Sequence, residues 1–111
     1  MNWIKLNELA QVAKLTQESH EKAILIFKHS TRCSISKTAL DRLERNWKAE
    51  DMNHVTPYLL DLISFREISH QVAEQFGIEH ESPQVLVIKK GEVIYDDSHF
   101  AIDYGAIQKS L

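Results

Sequence analysis

The residues with chemistry to offer lie in one stretch, Phe27-Lys28-His29-Ser30-Thr31-Arg32-Cys33-Ser34-Ile35-Ser36-Lys37-Thr38. Cys33 is the only cysteine of the 111 residues. It falls where an apolar, β-type run, Ala23 to Phe27, gives way to short polar residues and then to a helical pattern from about Ser34. The first turn of a helix leaves backbone N–H groups unpaired and carries the positive end of the helix dipole. A thiol at such a junction ionises more easily than a free one, and thiolate is the reactive form. Arg32 beside it and Lys37 one turn further on add positive charge. The chemistry expected is that of a nucleophilic thiol at Cys33.

Spacing decides which thiol chemistry. The position three after Cys33 holds Ser36, so no internal disulfide can close, and Cys33 can pair only with another molecule. A monothiol mechanism follows. Cys33 attacks a mixed disulfide on a client, takes the small thiol onto itself, and is freed by a second thiol. Ser34 and Ser36 either cap the helix or act at the sulfur. His29 is either a base for the thiol or a packed histidine with its nitrogens satisfied. The plain alternative for Cys33 is a buried small hydrophobe, against which its polar and basic neighbours argue. A phosphatase-type loop would need arginine six residues after the nucleophile, where Ala39 stands. Cys/His proteolysis would need a cleft that so small a domain can hardly build. His20, His54, His70, His80 and His99 lack ligand spacing, which argues against a zinc site.

Composition bounds the rest. The length suits one domain over residues 1–111, with about two-thirds of its unfolded surface buried. Thirteen Lys and Arg against sixteen Asp and Glu give a net charge of −3, and no Lys/Arg run exceeds two residues. A nucleic-acid surface would normally be basic, so none is expected. No apolar run approaches the ~20 residues of a membrane span. The start, Met1-Asn2-Trp3-Ile4-Lys5, lacks the layout of a signal peptide. A single cysteine without that layout points to the cytoplasm.

The elements that must position Cys33 follow from periodicity. Trp3 to Leu6 is a short strand or an apolar lead-in. Asn7 can cap a helix over about Glu8 to Gln17 with Leu9, Val12 and Ala13 on one face. Ala23 to Phe27 reads as a strand covered on both faces. The helix from Ser34 to about Lys48 spaces Ser36, Ala39, Leu40, Leu43 and Trp47 along one stripe. Val55 to Ile63 is a second strand region, and Pro57 suggests an edge position. Ser64 to Glu67 has the form of a capping box ahead of a helix burying Phe65, Ile68, Val72 and Phe76, which Gly77 stops. Gln84 to Lys89 is a strand, Lys89-Lys90-Gly91-Glu92 a hairpin turn, and Val93 to Tyr95 the start of the return. Asp103 caps a last short helix. The order is α-β-α-β-α-β-β-α.

This order, with a cysteine just after the first core strand, resembles the thioredoxin fold. It implies an α/β three-layer architecture, with a four-stranded mixed sheet in the order 2-1-3-4 flanked by helices. Lys28-His29-Ser30-Thr31-Arg32-Cys33-x-Ile35-Ser36, with Ser82-Pro83-Gln84 and the Gly91 hairpin, is similar to the YtxJ-type monothiol bacilliredoxins over nearly the whole chain. The resemblance implies a thiol-disulfide oxidoreductase that removes bacillithiol from protein mixed disulfides. Bacillithiol would be a co-substrate, with no bound cofactor, and the partners would be bacillithiolated client proteins. Arg32 and Lys37 would meet the carboxylates of bacillithiol, and Thr31, Ser34 and Ser36 would line the site. Ser82 would precede a cis Pro83 facing the sulfur and dock substrate through its backbone as an added strand. Family members usually carry proline straight after the cysteine, where this chain has Ser34; a proline there would pre-set φ at the first helical position. Two alternatives remain at this stage. One is a glutaredoxin-like iron–sulfur carrier, although Cys33-Ser34-Ile35-Ser36 does not match the Cys-Gly-Phe-Ser signature of that group. The other is a thioredoxin-like interaction module without turnover.

Overall fold

A computed structural model describes residues 1–111. Two strand-forming runs set the frame. Ala23–His29 (β2) is buried through its first six residues, and Gln84–Lys89 (β4) through its first five. A strand with both faces buried must have helices on each side. Val55–Asp61 (β3) pairs parallel with β2, and β4 pairs antiparallel with β2 on its other side. Glu92–Ser98 (β5) returns antiparallel to β4. Ile4–Lys5 (β1) adds two residues parallel to β3, opposite Tyr58 and Leu59. The sheet order is β1-β3-β2-β4-β5.

The four expected strands thus occur in the expected order, but the sheet has five strands. The fifth, β1, is too short to show the period-2 alternation that identifies a strand. Pro57 lies on β3 just before the two residues that β1 pairs, so the outer side of the sheet has no ladder at that point.

Helices Leu9–Glu21 (α1) and Arg66–Phe76 (α3) cover one face, with Val12, Leu15, Ile68 and Val72 packed on Ile24, Ile26, Tyr58 and Leu60. Helices Ser34–Asn46 (α2) and Tyr104–Ser110 (α4) cover the other. There Ala39, Leu43 and Ile107 pack on Leu25, Phe27, Val85 and Val87. The even residues of β2 face one layer and the odd residues the other, as the strand period of two requires.

Several boundaries differ from the sequence reading. α1 runs on to Glu21 and buries Val12, Leu15 and Ser19, while Leu9 and Ala13 are exposed. Its last turn is held from a distance: Lys90 N donates to the Ser19 carbonyl and Gly91 N to the Ser19 hydroxyl at 2.8 Å. Its cap residue is Glu8, and the Gln11 side chain accepts from the backbone of both Asn7 and Glu8. Ser64 does not cap α3. Phe65 occupies that position, and the Asp61 carboxylate accepts from Ile63 N and Ser64 N instead. Gly77 stops α3 with φ 66°, and Asp103 caps α4 by accepting from Ala106 N. Lys90 and Gly91 turn the β4–β5 hairpin with φ 54° and 79°, the left-handed pair that a tight two-residue turn needs.

Candidate active site

Cys33 is the cap residue of α2. Its backbone is extended, with φ −109° and ψ 121°, and its side chain makes no capping bond. Cys33 N donates to the Ser30 carbonyl at 3.1 Å, and the Cys33 carbonyl accepts from Lys37 N at 3.1 Å. The loop therefore closes a tight turn directly into the helix, leaving the thiol half-buried and free. Thr31, Arg32, Ser34 and Lys37 around it are all exposed. They form the exposed surface around the turn that carries the sulfur.

Ser36 sits beneath that surface. It is fully buried, and its hydroxyl accepts from Ser30 N at 3.0 Å and meets His29 Nδ1 at 2.6 Å. The Ser36 oxygen thus takes the Ser30 N–H while sharing a short hydrogen bond with the His29 ring at Nδ1. Burial lowers the His29 pKa, against the opposing charges of Asp61, Glu44 and Asp41. Ser36 thus ties the last residue of β2, the loop and the first turn of α2 together. It supports the loop from below. Of the two readings of His29, the bond at Nδ1 fits the packed histidine.

The Ser82–Pro83 bond is cis. Lys28 pairs with Gln84, so the antiparallel register brings Pro83 level with His29, where the loop to Cys33 begins. Both flanks of Pro83 are fastened. Its carbonyl accepts from His99 N at 3.0 Å. On the other side, the buried Gln84 side chain donates to the Glu79 carbonyl at 3.0 Å and accepts from Glu81 N at 3.4 Å. The Ser82 hydroxyl is buried without any hydrogen-bond partner. Such a group normally has one. Periodicity did not single out Gln84, although a glutamine opening an otherwise apolar run was a visible signal.

A cavity of about 250 Å³ lies beside the loop, lined by His29, Thr31, Asp61 and Phe65 with residues of the β1 edge. No group of three or more His, Cys, Asp or Glu side chains is placed to hold a metal ion. No helix is long and apolar enough to cross a membrane.

Comparison with known proteins gives the family. The sequence profile described as Monothiol bacilliredoxin BrxC matches residues 4–107. The chain belongs to the monothiol bacilliredoxin family. Among solved structures it is similar to an inferred oxidoreductase with a thioredoxin fold, at 28% identity and TM-score 0.81 over 96% of this chain and 91% of that one. Thioredoxins from Malassezia sympodialis and Trypanosoma brucei brucei superpose with TM-score 0.74, each over 98% of this chain and 87% of theirs. Their identities of 17% and 13% speak for the fold alone. The bacilliredoxin is therefore a thioredoxin-fold oxidoreductase of the monothiol class, and Cys33 is its one cysteine.

Proposed function

We propose that this bacilliredoxin removes bacillithiol from mixed disulfides on cytoplasmic client proteins. The Cys33 thiolate attacks the bacillithiol sulfur, and a Cys33–bacillithiol disulfide forms as the bond to the client sulfur breaks. The client leaves as a thiolate and takes up a proton from solvent. A second thiol then attacks the adduct and restores Cys33, its own sulfur being oxidised to the new disulfide.

The observation that carries this reading is the free, half-buried Cys33 thiol beside a buried Ser36 whose hydroxyl is already engaged. No neighbouring group competes for the sulfur, and none can close an internal disulfide. Arg32 and Lys37 supply charge for the carboxylates of the small thiol, and Thr31 and Ser34 supply hydroxyls. Ser82 is suited to dock the client backbone beside Pro83, where its own unpartnered hydroxyl would gain a partner.

The deciding experiment is mass spectrometry of the intact chain after mixing with a bacillithiolated client. One bacillithiol adduct on Cys33, reversible by added thiol, is expected together with release of the client thiol. A folded chain that forms no adduct while still binding the client would leave the interaction-module reading in its place.

A further inference from the structure

Lys28 is a charge out of place. It lies on the apolar face of β2 that carries Ile24 and Ile26, and it is fully buried. Its ammonium has only two neighbours, the Ser69 carbonyl at 3.3 Å and His80 Nδ1 at 3.4 Å. No carboxylate pairs with it, since the only ion pair in the structure joins His99 to Glu81. A buried ammonium without a counter-charge is costly, and structures normally pair one. Burial lowers the Lys28 pKa to about 8, so at neutral pH most of that charge is still present.

The two groups that Lys28 touches form part of the wall of a cavity of about 110 Å³, completed by Leu62, Arg66 and His70. That volume is several times what one water needs. The polar lining is donor-rich. Arg66 opens α3 and offers a guanidinium fork. Ser69 is buried and its hydroxyl lies 3.2 Å from His80 Nδ1. With Nδ1 receiving the Lys28 ammonium, the proton of a neutral His80 ring sits on Nε2. The acids on these segments are turned to other uses: Glu67 and Glu79 are exposed, Asp61 accepts from Ile63 N and Ser64 N, and Glu81 is engaged by His99.

We propose that this cavity is a binding site for a small inorganic oxyanion of the phosphate or sulfate type, held by Arg66, His70, His80 and Ser69, with the Lys28 ammonium behind the wall as its buried counter-charge. The site opens on the α3 face of the sheet, whereas Cys33 heads α2 on the other. It is separate from the thiol and does not depend on the redox reading. It reaches the same end of the sheet through His80, three residues before Pro83, so occupancy would fix the segment ahead of the cis bond.

The test is a titration of the full chain with inorganic phosphate, and separately with sulfate, against chloride at matched ionic strength, followed by NMR. Saturable movement of the Ser69, His70 and His80 signals is expected with both oxyanions and not with chloride. Arg66→Gln, on an exposed residue that leaves the core intact, should weaken binding about tenfold, the scale of one charge-assisted hydrogen bond. Lys28→Met should do the same, while Cys33→Ser should bind like the parent. Absence of saturable movement in the parent chain would overturn the proposal, as would equal affinity in Arg66→Gln.

Discussion

The Ser36 hydroxyl lies 2.6 Å from Nδ1 of His29, across the turn that carries Cys33. Removing it in Ser36→Ala leaves the Ser30 N–H without its acceptor and the imidazole Nδ1 without its partner. The cost expected for losing a buried partner of this kind is about 1–3 kcal/mol. A drop in the denaturant midpoint at unchanged slope would measure it, together with faster hydrogen exchange at Ser30.

Cys33→Ser should abolish adduct formation and client release entirely while changing stability by less than about 0.5 kcal/mol. The thiol makes no capping bond and is half-buried, so little in the fold depends on it. Thermal unfolding beside the adduct assay separates the two effects, and a variant that still releases the client thiol would exclude Cys33 as nucleophile.

Lys28 gives the alkaline stability profile a definite sign. Its folded pKa is lowered from 10.5 to about 8, so between these values the unfolded chain binds the extra proton. Stability must therefore rise with pH from about 8 towards 10. Above pH 10 Tyr58 opposes this: burial and its 2.6 Å hydrogen bond to Glu18 raise its pKa, so the unfolded chain loses that proton first. Lys28→Met should remove the rise between pH 8 and 10 and stabilise the chain near neutrality, by on the order of 2 kcal/mol after allowance for solvent screening. Urea unfolding at fixed pH steps reads both.

Gly91 turns the hairpin at φ 79°, and a Cβ there would stand 3.4 Å from the His20 ring and the Thr16 methyl. Gly91→Ala should cost about 1–2 kcal/mol from the left-handed backbone alone. Because the Gly91 N–H also holds Ser19, the last turn of α1 should fray along with it. Circular dichroism and exchange at Lys90 would show both.

What the sequence disclosed was what short-range chemistry determines. The unbroken apolar run of β2, the Gly77 stop, the Gly91 turn and the Asp103 cap all act on neighbouring residues, and each is found where its signal lies. The end of α1 was hidden because Ser19, His20 and Glu21 look like a break. What holds that turn is the backbone of Lys90 and of Gly91, the latter 72 residues from Ser19 in sequence. Ser64 does not cap because the helix begins one residue later, with Phe65 at the cap, and the Asp61 carboxylate takes the Ser64 N–H that Glu67 would accept in a capping box. Around the thiol, Cys33 and Pro83 were legible by type and position. Lys28 was not singled out, since nothing local marks a lysine that continues an apolar strand into the interior.

The bare cap at Cys33 has a consequence for how the modified chain would be noticed. Since the sulfur holds no bond that the helix needs, loading it with a small thiol breaks nothing inside the molecule. The loop is moored through Ser36, which the sulfur does not touch with a hydrogen bond. Under the proposed reaction, a protein that distinguishes the loaded chain from the empty one would then have to feel the cargo itself, its bulk and its acid groups.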